Sequence, residues 1–274
     1  MQIGNVGTFS IISMIISAAL SILVPIALII ILGIRKKLNW KAMLLGSGLF
    51  LLFVMILERL MHWAVLGPDP AASALYRNKW LYMLYAGFAA GIFEETARLL
   101  GFRFILRVSE NESIDTGISY GLGHGGIESI LIVGISTVTN ISMAYMHNSG
   151  ALNSMYAALP EAERESLSEY IKLLVTTPPY EFLMSGFERV VALVLQISMS
   201  LFVLKAVSQK KWQYFLFAIL LHAGVDIIAV HYSLGMITNL FLLEGILAVI
   251  AVVFAVVAFR TYHGRVKTQP ENIQ

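Results

Sequence analysis

Two adjacent glutamates, Glu94 and Glu95, sit inside an otherwise apolar stretch, FAAGIFEETARLLGF, with Arg98 within one helical turn. An ionised carboxylate at bilayer depth costs at least about 2.5–3.5 kcal/mol even on a lenient insertion scale. A chain carries two such groups where they face a protected interior and act there. Two further apolar stretches each hold an imidazole: His124 in SYGLGHGGIES, and His222 with Asp226 in FAILLHAGVDII. A carboxylate in such surroundings suits a general base that takes a proton from water and directs hydroxide at a carbonyl carbon. Histidines on facing helices could donate to the resulting oxyanion, or hold a metal that does the same work. Asp226, one turn from His222, would orient that ring. Arg98 would keep Glu95 ionised. Two histidines and a carboxylate also meet the ligand needs of a catalytic zinc site with one position left for water.

Helical spacing groups these residues, because positions three or four apart share a face. Tyr120, His124 and Glu128 form one row, His222 and Asp226 another, and Glu94 with Arg98 a third. Glu95 also reaches Arg98 at i+3. Glycines 121, 123, 125 and 126 flank His124, and Gly224 follows His222. Small residues let helices approach closely in lipid, and here they could also leave room for a peptide or water. Each feature taken singly has a structural alternative. A lone intramembrane histidine is often a packing residue, and a Glu–Arg group can simply fix helix register. Glu58, Arg59 and His62, and Glu188 with Arg189, lie near span ends or pair with each other, which suits structural roles. Glu244 falls near the end of its span and suits an interfacial place. Glu128 is either a ligand or an orienting neighbour. The coincidence of three helices carries the functional argument.

The elements that must position these groups are membrane helices. Of 274 residues, 58% are hydrophobic and 13% charged, against about 25% charged in a soluble domain. The composition predicts an all-α polytopic membrane protein. Seven apolar runs approach the ~20 residues a crossing helix needs: 10–33, 42–65, 81–105, 116–142, 181–204, 212–231 and 239–259. They read as one transmembrane domain covering 1–274, with no internal repeat. The first 34 residues carry no charge, which predicts a retained first helix rather than a cleaved leader. Twelve of the 19 Lys and Arg residues follow spans 1, 3, 5 and 7, four lie on the other side, and three fall within spans. That bias predicts an outside N-terminus and a cytoplasmic C-terminus. The connection 143–180 is then extracytoplasmic, with a helix-compatible acidic patch, EAERESLSEY, and the polar tail 264–274 is expected to be disordered.

With this topology, Glu94 and Glu95 lie about 15–18 Å from the cytoplasmic end of their helix, His124 about 12 Å and His222 about 15 Å. Several chemistries are excluded. There is no cysteine, hence no disulfide, thiolate metal site or cysteine nucleophile. No HExxH motif is present, and no GxSxG nucleophile elbow either, since the string GISYG (117–121) falls inside the apolar run 116–142 rather than at a strand-to-helix turn. Nor is there a pair of membrane aspartates of the aspartyl-protease kind. The net charge of +2 is too small to suggest a nucleic-acid partner.

Glu94-Glu95-Thr-Ala-Arg98 resembles the diglutamate motif of the CAAX-prenyl-protease and bacteriocin-processing (CPBP) superfamily of intramembrane proteases. Tyr120-Gly-Leu-Gly-His124 resembles its second motif, an aromatic residue followed by histidine at i+4. His222-Ala-Gly-Val-Asp226 resembles its third, histidine followed by Asn or Asp at i+4. Within that superfamily the chain is most similar to the bacterial YhfC group of intramembrane metalloproteases. The resemblance implies a CPBP-like helical core with a conical, cytoplasm-facing cavity, in a bacterial inner membrane. It implies a catalytic set of Glu94, Glu95, Arg98, His124, His222 and Asp226, with Glu94 activating water. It is compatible with zinc, held by His124, His222 and Glu95, and with a metal-free mechanism. The substrate would be a membrane-associated peptide or protein. In the superfamily form the basic residue usually follows the first glutamate by five. Here the interval is four, as in the PrsW-like form with Lys, and this leaves open which glutamate Arg98 holds. Two other functions fit the same residues: a proton-coupled transporter, and a non-catalytic membrane scaffold of the same fold.

Overall fold

A computed structural model describes residues 3–263. The tail expected to be disordered, 264–274, lies outside the described residues. Every regular element among those described is helical. We label the helices α1 (Thr8–Ile34), α2 (Trp40–Leu66), α3 (Lys79–Leu100), α4 (Ile114–Asn148), α5 (Leu152–Ala158), α6 (Glu161–Thr176), α7 (Pro179–Ser208), α8 (Gln213–Ser233) and α9 (Leu240–His263). Local sequence sets their ends. Asn39 and Asn78 cap α2 and α3, their side chains accepting from the backbone N–H of Ala42 and Leu81 at 3.1 and 3.2 Å. Such caps satisfy donors that a helix leaves orphaned. Pro179 opens α7, where its missing N–H is no loss. Gly67, with φ +78°, ends α2. Wider π turns interrupt α2 at Phe53–Glu58 and α4 at Ile130–Gly134, and a third, Gly101–Leu106, extends α3.

Among the described residues, six helices are long and apolar enough to cross a membrane: α1, α2, α4, α7, α8 and α9. The seventh apolar run, 81–105, is α3 with its π turn. It has the length to cross, but Glu94, Glu95 and Arg98 lie in its second half. Leu44 and Val249 are 63% and 64% exposed among many outward-facing apolar side chains. Such a surface suits lipid rather than water. This is an all-α polytopic membrane protein.

The chain divides into two compact units, residues 1–27 with 129–190, and residues 28–128 with 191–274. In the first, Val6, Ile11, Met14, Ala144, Leu152, Ile171 and Leu174 form the core. Asn148 ties down the N-terminal segment, accepting from the Val6 N–H and donating to its carbonyl, both at 2.9 Å. The connection 143–180 is largely helical, through the end of α4, α5 and α6. Glu188 and Arg189, in the first half of α7, contact each other, as their adjacency suggests.

The second unit holds every candidate site residue. Its core joins Leu49, Ala97, Phe102, Tyr120, Leu201, Phe202 and Leu204. Glycines set the helix spacing. A Cβ on Gly123 would stand 1.9 Å from the Met43 carbonyl oxygen, and one on Gly46 would stand 2.2 Å from that of Tyr120. Backbone therefore meets backbone where α2 crosses α4. Gly117, Gly121 and Gly125, one turn apart, lie against α7 at Leu201, Ile197 and Gln196. Gly87 and Gly91 bring α3 onto the Ala223 and Ile219 carbonyls of α8. The room these glycines leave is filled by neighbouring helices, whereas Gly224 has nothing within 4 Å. Gly123→Ala is expected to cost about 1–3 kcal/mol or more, because backbone cannot yield as a side chain can. Gly48→Ala, on the same helix as Gly46 but with open space around it, should be neutral or slightly stabilising. Thermal unfolding in detergent compares the two.

Candidate active site

Four helices of the second unit supply the site. From α3, Glu94, Glu95 and Arg98 point inward; Glu95 and Arg98 are fully buried and Glu94 nearly so. From α4 come His124, also fully buried, and Glu128. From α8 come His222, buried, and Asp226, whose side chain keeps 31% of its exposure. From α7 come Gln196 and Ser200.

The two glutamates have different neighbours. Glu95 Oε1 accepts from Arg98 Nη1 at 2.6 Å and lies 2.6 Å from His222 Nδ1. Arg98 pairs mainly with Glu95, the partner at i+3. Its Nη2 stands 3.6 Å from Glu94 Oε2. It also donates to the Gln196 side-chain oxygen and, through Nε, to Ser200 Oγ at 3.2 Å. A carboxylate held by a guanidinium is an acceptor, so His222 carries its proton on Nδ1 towards Glu95. Glu94 Oε2 instead lies 2.8 Å from His124 Nε2 and 3.7 Å from His222 Nε2, and accepts from Gln196 Nε2 at 3.1 Å. Glu95 is therefore the anchored member of the doublet, and Glu94 is the one towards which both imidazoles converge.

Asp226 Oδ2 lies 3.4 Å from His222 Nε2. Of the three acids beside this ring, Glu95 makes the shortest contact, on Nδ1, while Asp226 and Glu94 both face Nε2, Asp226 being the more exposed of the two. Phe50 meets the His124 ring edge-on at 5.0 Å between centroids, and Tyr120 stacks near it at 6.4 Å. These contacts fix the imidazole in an apolar slot. His124 Nδ1, Glu95 Oε2 and Tyr120 Oη are buried with no hydrogen-bond partner among the described residues.

Gln196 and Ser200 are residues that sequence reasoning misses. Gln196 Nε2 donates to both Glu94 Oε2 and Glu128 Oε2, the latter at 2.6 Å, while its oxygen receives Arg98. One neutral amide thus joins the acidic residues to the cation. A glutamine deep in the apolar run 181–204 is the signal that could have found it. Glu58 and His62 pair with each other at 3.3 Å.

Four carboxyl groups, Glu94, Glu95, Glu128 and Asp226, surround one guanidinium and two imidazoles. This acidic excess suits a cation. Ligand atoms of Glu94, His124 and Glu128 all lie within 4.8 Å of one another. The trio offers one nitrogen and two oxygens, a set that zinc accepts at about 2.0–2.2 Å. The residues present fit a divalent metal. The trio shares only His124 with the set expected from sequence (His124, His222 and Glu95), because Arg98 and His222 already engage Glu95.

The chain is similar to the uncharacterized membrane protein YhfC of Bacillus subtilis (strain 168), with 34% identity over 236 residues, covering 86% of this chain and 90% of that protein. No solved structure matches it. A family model described as YhfC intramembrane metalloprotease matches residues 20–247, and the chain belongs to that family.

Proposed function

We propose that this protein is an intramembrane peptidase that hydrolyses a peptide bond of a membrane-associated protein or peptide. The observation that carries the reading is the convergence of Glu94 with His124 and His222, drawn from three helices onto one carboxylate oxygen. Glu94 is the general base. It takes a proton from water, and the hydroxide attacks the scissile carbonyl carbon. His222 in its imidazolium form, with Nδ1 donating to Glu95 and Nε2–H facing the site, and His124 through Nε2 are the groups placed to stabilise the oxyanion. Glu94 then returns the proton to the leaving amine. Glu95, Arg98, Gln196 and Ser200 hold the geometry, and Asp226 biases the open side of the His222 ring.

With a divalent metal bound, zinc by choice of donors, Glu94, His124 and Glu128 would hold it, and Glu94 and His124 would then act as ligands in place of their base and oxyanion-donor roles. When bound the metal polarises a carbonyl and acidifies water. Purified full-length protein should then retain a divalent metal on elemental analysis. His124→Ala and Glu128→Ala should each lower the retained metal by about tenfold or more, while Glu188→Ala should not. Equal metal content in all four proteins would remove the metal from the account.

The charge bias and the family resemblance support an inner-membrane protein with its N-terminus outside. The test of the peptidase is co-expression with tagged single-span membrane proteins. Fragments should form with the wild type and not with Glu94→Gln at equal membrane abundance. Fragments that persist would dismiss Glu94 as the base.

A further inference from the structure

A polar concavity lies in the same unit, lined by none of the residues of the acidic cluster. It encloses about 410 Å³ and is lined by Arg103, Arg107, Val108, Val207, Lys210 and Trp212. Arg103 and Arg107 lie where α3 ends through its π turn, and Lys210 and Trp212 lie in the turn from α7 to α8. The lining thus brings together the ends of two long helices. Three cations meet there with no acidic residue in the wall. None of the three makes an ion pair among the described residues. Like charges so placed repel, and an anion between them would relieve that repulsion.

The pocket also has fixed geometry. The Arg103 guanidinium lies over the Trp212 ring, 5.1 Å from its centroid, which ties the α3 end to the α7–α8 turn. Stacking of this kind orients the guanidinium fork while leaving its edge free to donate. Arg107 and Lys210 both occupy left-handed backbone, with φ of 52° and 54°. Glycine adopts that conformation without strain, yet the chain places a cation at both positions. Lys36, at the end of α1, shares the conformation, so backbone alone does not mark the pocket. The concave wall of two arginines, a lysine and a tryptophan does. Val108 and Val207 give it an apolar side. A tryptophan at the ends of membrane helices belongs at headgroup level.

We propose that this pocket binds a phosphate-bearing oxyanion at the membrane surface, with the headgroup of an acidic phospholipid as the occupant. Arginine forks match phosphate oxygens, and basic pockets between membrane helices take such headgroups. The aliphatic wall would meet the glycerol and upper acyl chain. The site stands apart from the peptidase reading and does not require it. It does share helices with the cluster, since Arg98 precedes Arg103 on the same helix by five residues and Gln196 precedes Val207 by eleven.

The experiment is native mass spectrometry of the purified full chain in neutral micelles, titrated with phosphatidylglycerol, phosphatidylcholine or inorganic phosphate. Saturable binding of one phosphatidylglycerol, unaffected by inorganic phosphate, is the expected result. Displacement of that lipid by inorganic phosphate would make the same pocket a soluble-phosphate site. Arg103→Gln with Lys210→Gln should weaken binding by about tenfold or more. Lys36→Gln with Lys37→Gln, which removes the same charge elsewhere, should leave it unchanged. The proposal is overturned if wild-type protein takes phosphatidylglycerol no better than phosphatidylcholine and no phosphate. It is equally overturned if the control pair loses as much as the pocket pair.

Discussion

Glu94→Gln should lower cleavage of a membrane substrate by about 10²–10⁴-fold, the usual contribution of a positioned general base. The substitution keeps volume and an acceptor oxygen, so Gln196 Nε2 retains its partner. It removes the charge that faces both imidazoles and the ability to take a proton from water. Folding should hardly change, because Arg98 keeps its main partner, Glu95, at 2.6 Å. Membrane abundance and thermal unfolding of the variant should match the wild type while product formation collapses. Glu95→Gln should behave differently, losing abundance as well as activity, because it unpairs a guanidinium that is fully buried.

Arg98→Leu should be the most destabilising change in the site. The guanidinium has no exposure, and its partners Glu95, Gln196 and Ser200 are buried as well. Its loss strands Glu95 beside His222 with no fixed cation. Breaking a buried pair on one side costs about 3–5 kcal/mol, because the remaining charge stays desolvated. Arg98→Lys keeps the charge but cannot reach Glu95, Gln196 and Ser200 at once, so an intermediate loss is expected. Arg98→Leu with Glu95→Leu should recover part of the loss, since no lone charge remains. Thermal unfolding in detergent measures all three. A single variant as stable as the wild type would show that the cation does not hold the cluster.

Apolar runs located the long helices because lipid demands them: a crossing segment must be apolar for its whole length, and that is visible in one chain. The cluster was legible for a related reason. Charges are rare at membrane depth, so Glu94, Glu95, Arg98, His124 and His222 stood out on three separate stretches. What sequence could not give was side-chain direction. The i+3 and i+4 spacings allowed Arg98 to reach either glutamate, and only the packed rotamers separate 2.6 Å from 3.6 Å. The same limit hid the orienter of His222. Asp226 shares its helix face, but Glu95, from α3, makes the closer contact. Gln196 escaped notice because a neutral amide costs little enough to blend into an apolar span. Its role comes from packing, where Gly121 and Gly125 let α4 lie close to it. The candidate metal trio differs from the set expected from sequence for the same cause: Glu128, open in the sequence between ligand and orienting neighbour, lies with Glu94 and His124 once the side chains are packed.

The most direct test of hydrolysis at Glu94 works without an identified substrate. Cells expressing wild type or Glu94→Gln at equal membrane abundance can be compared by mass spectrometry of all membrane-protein N-termini. New termini within or beside hydrophobic segments, present with the wild type and absent with Glu94→Gln, are the expected result. Identical sets of termini in the two cells would contradict the peptidase account.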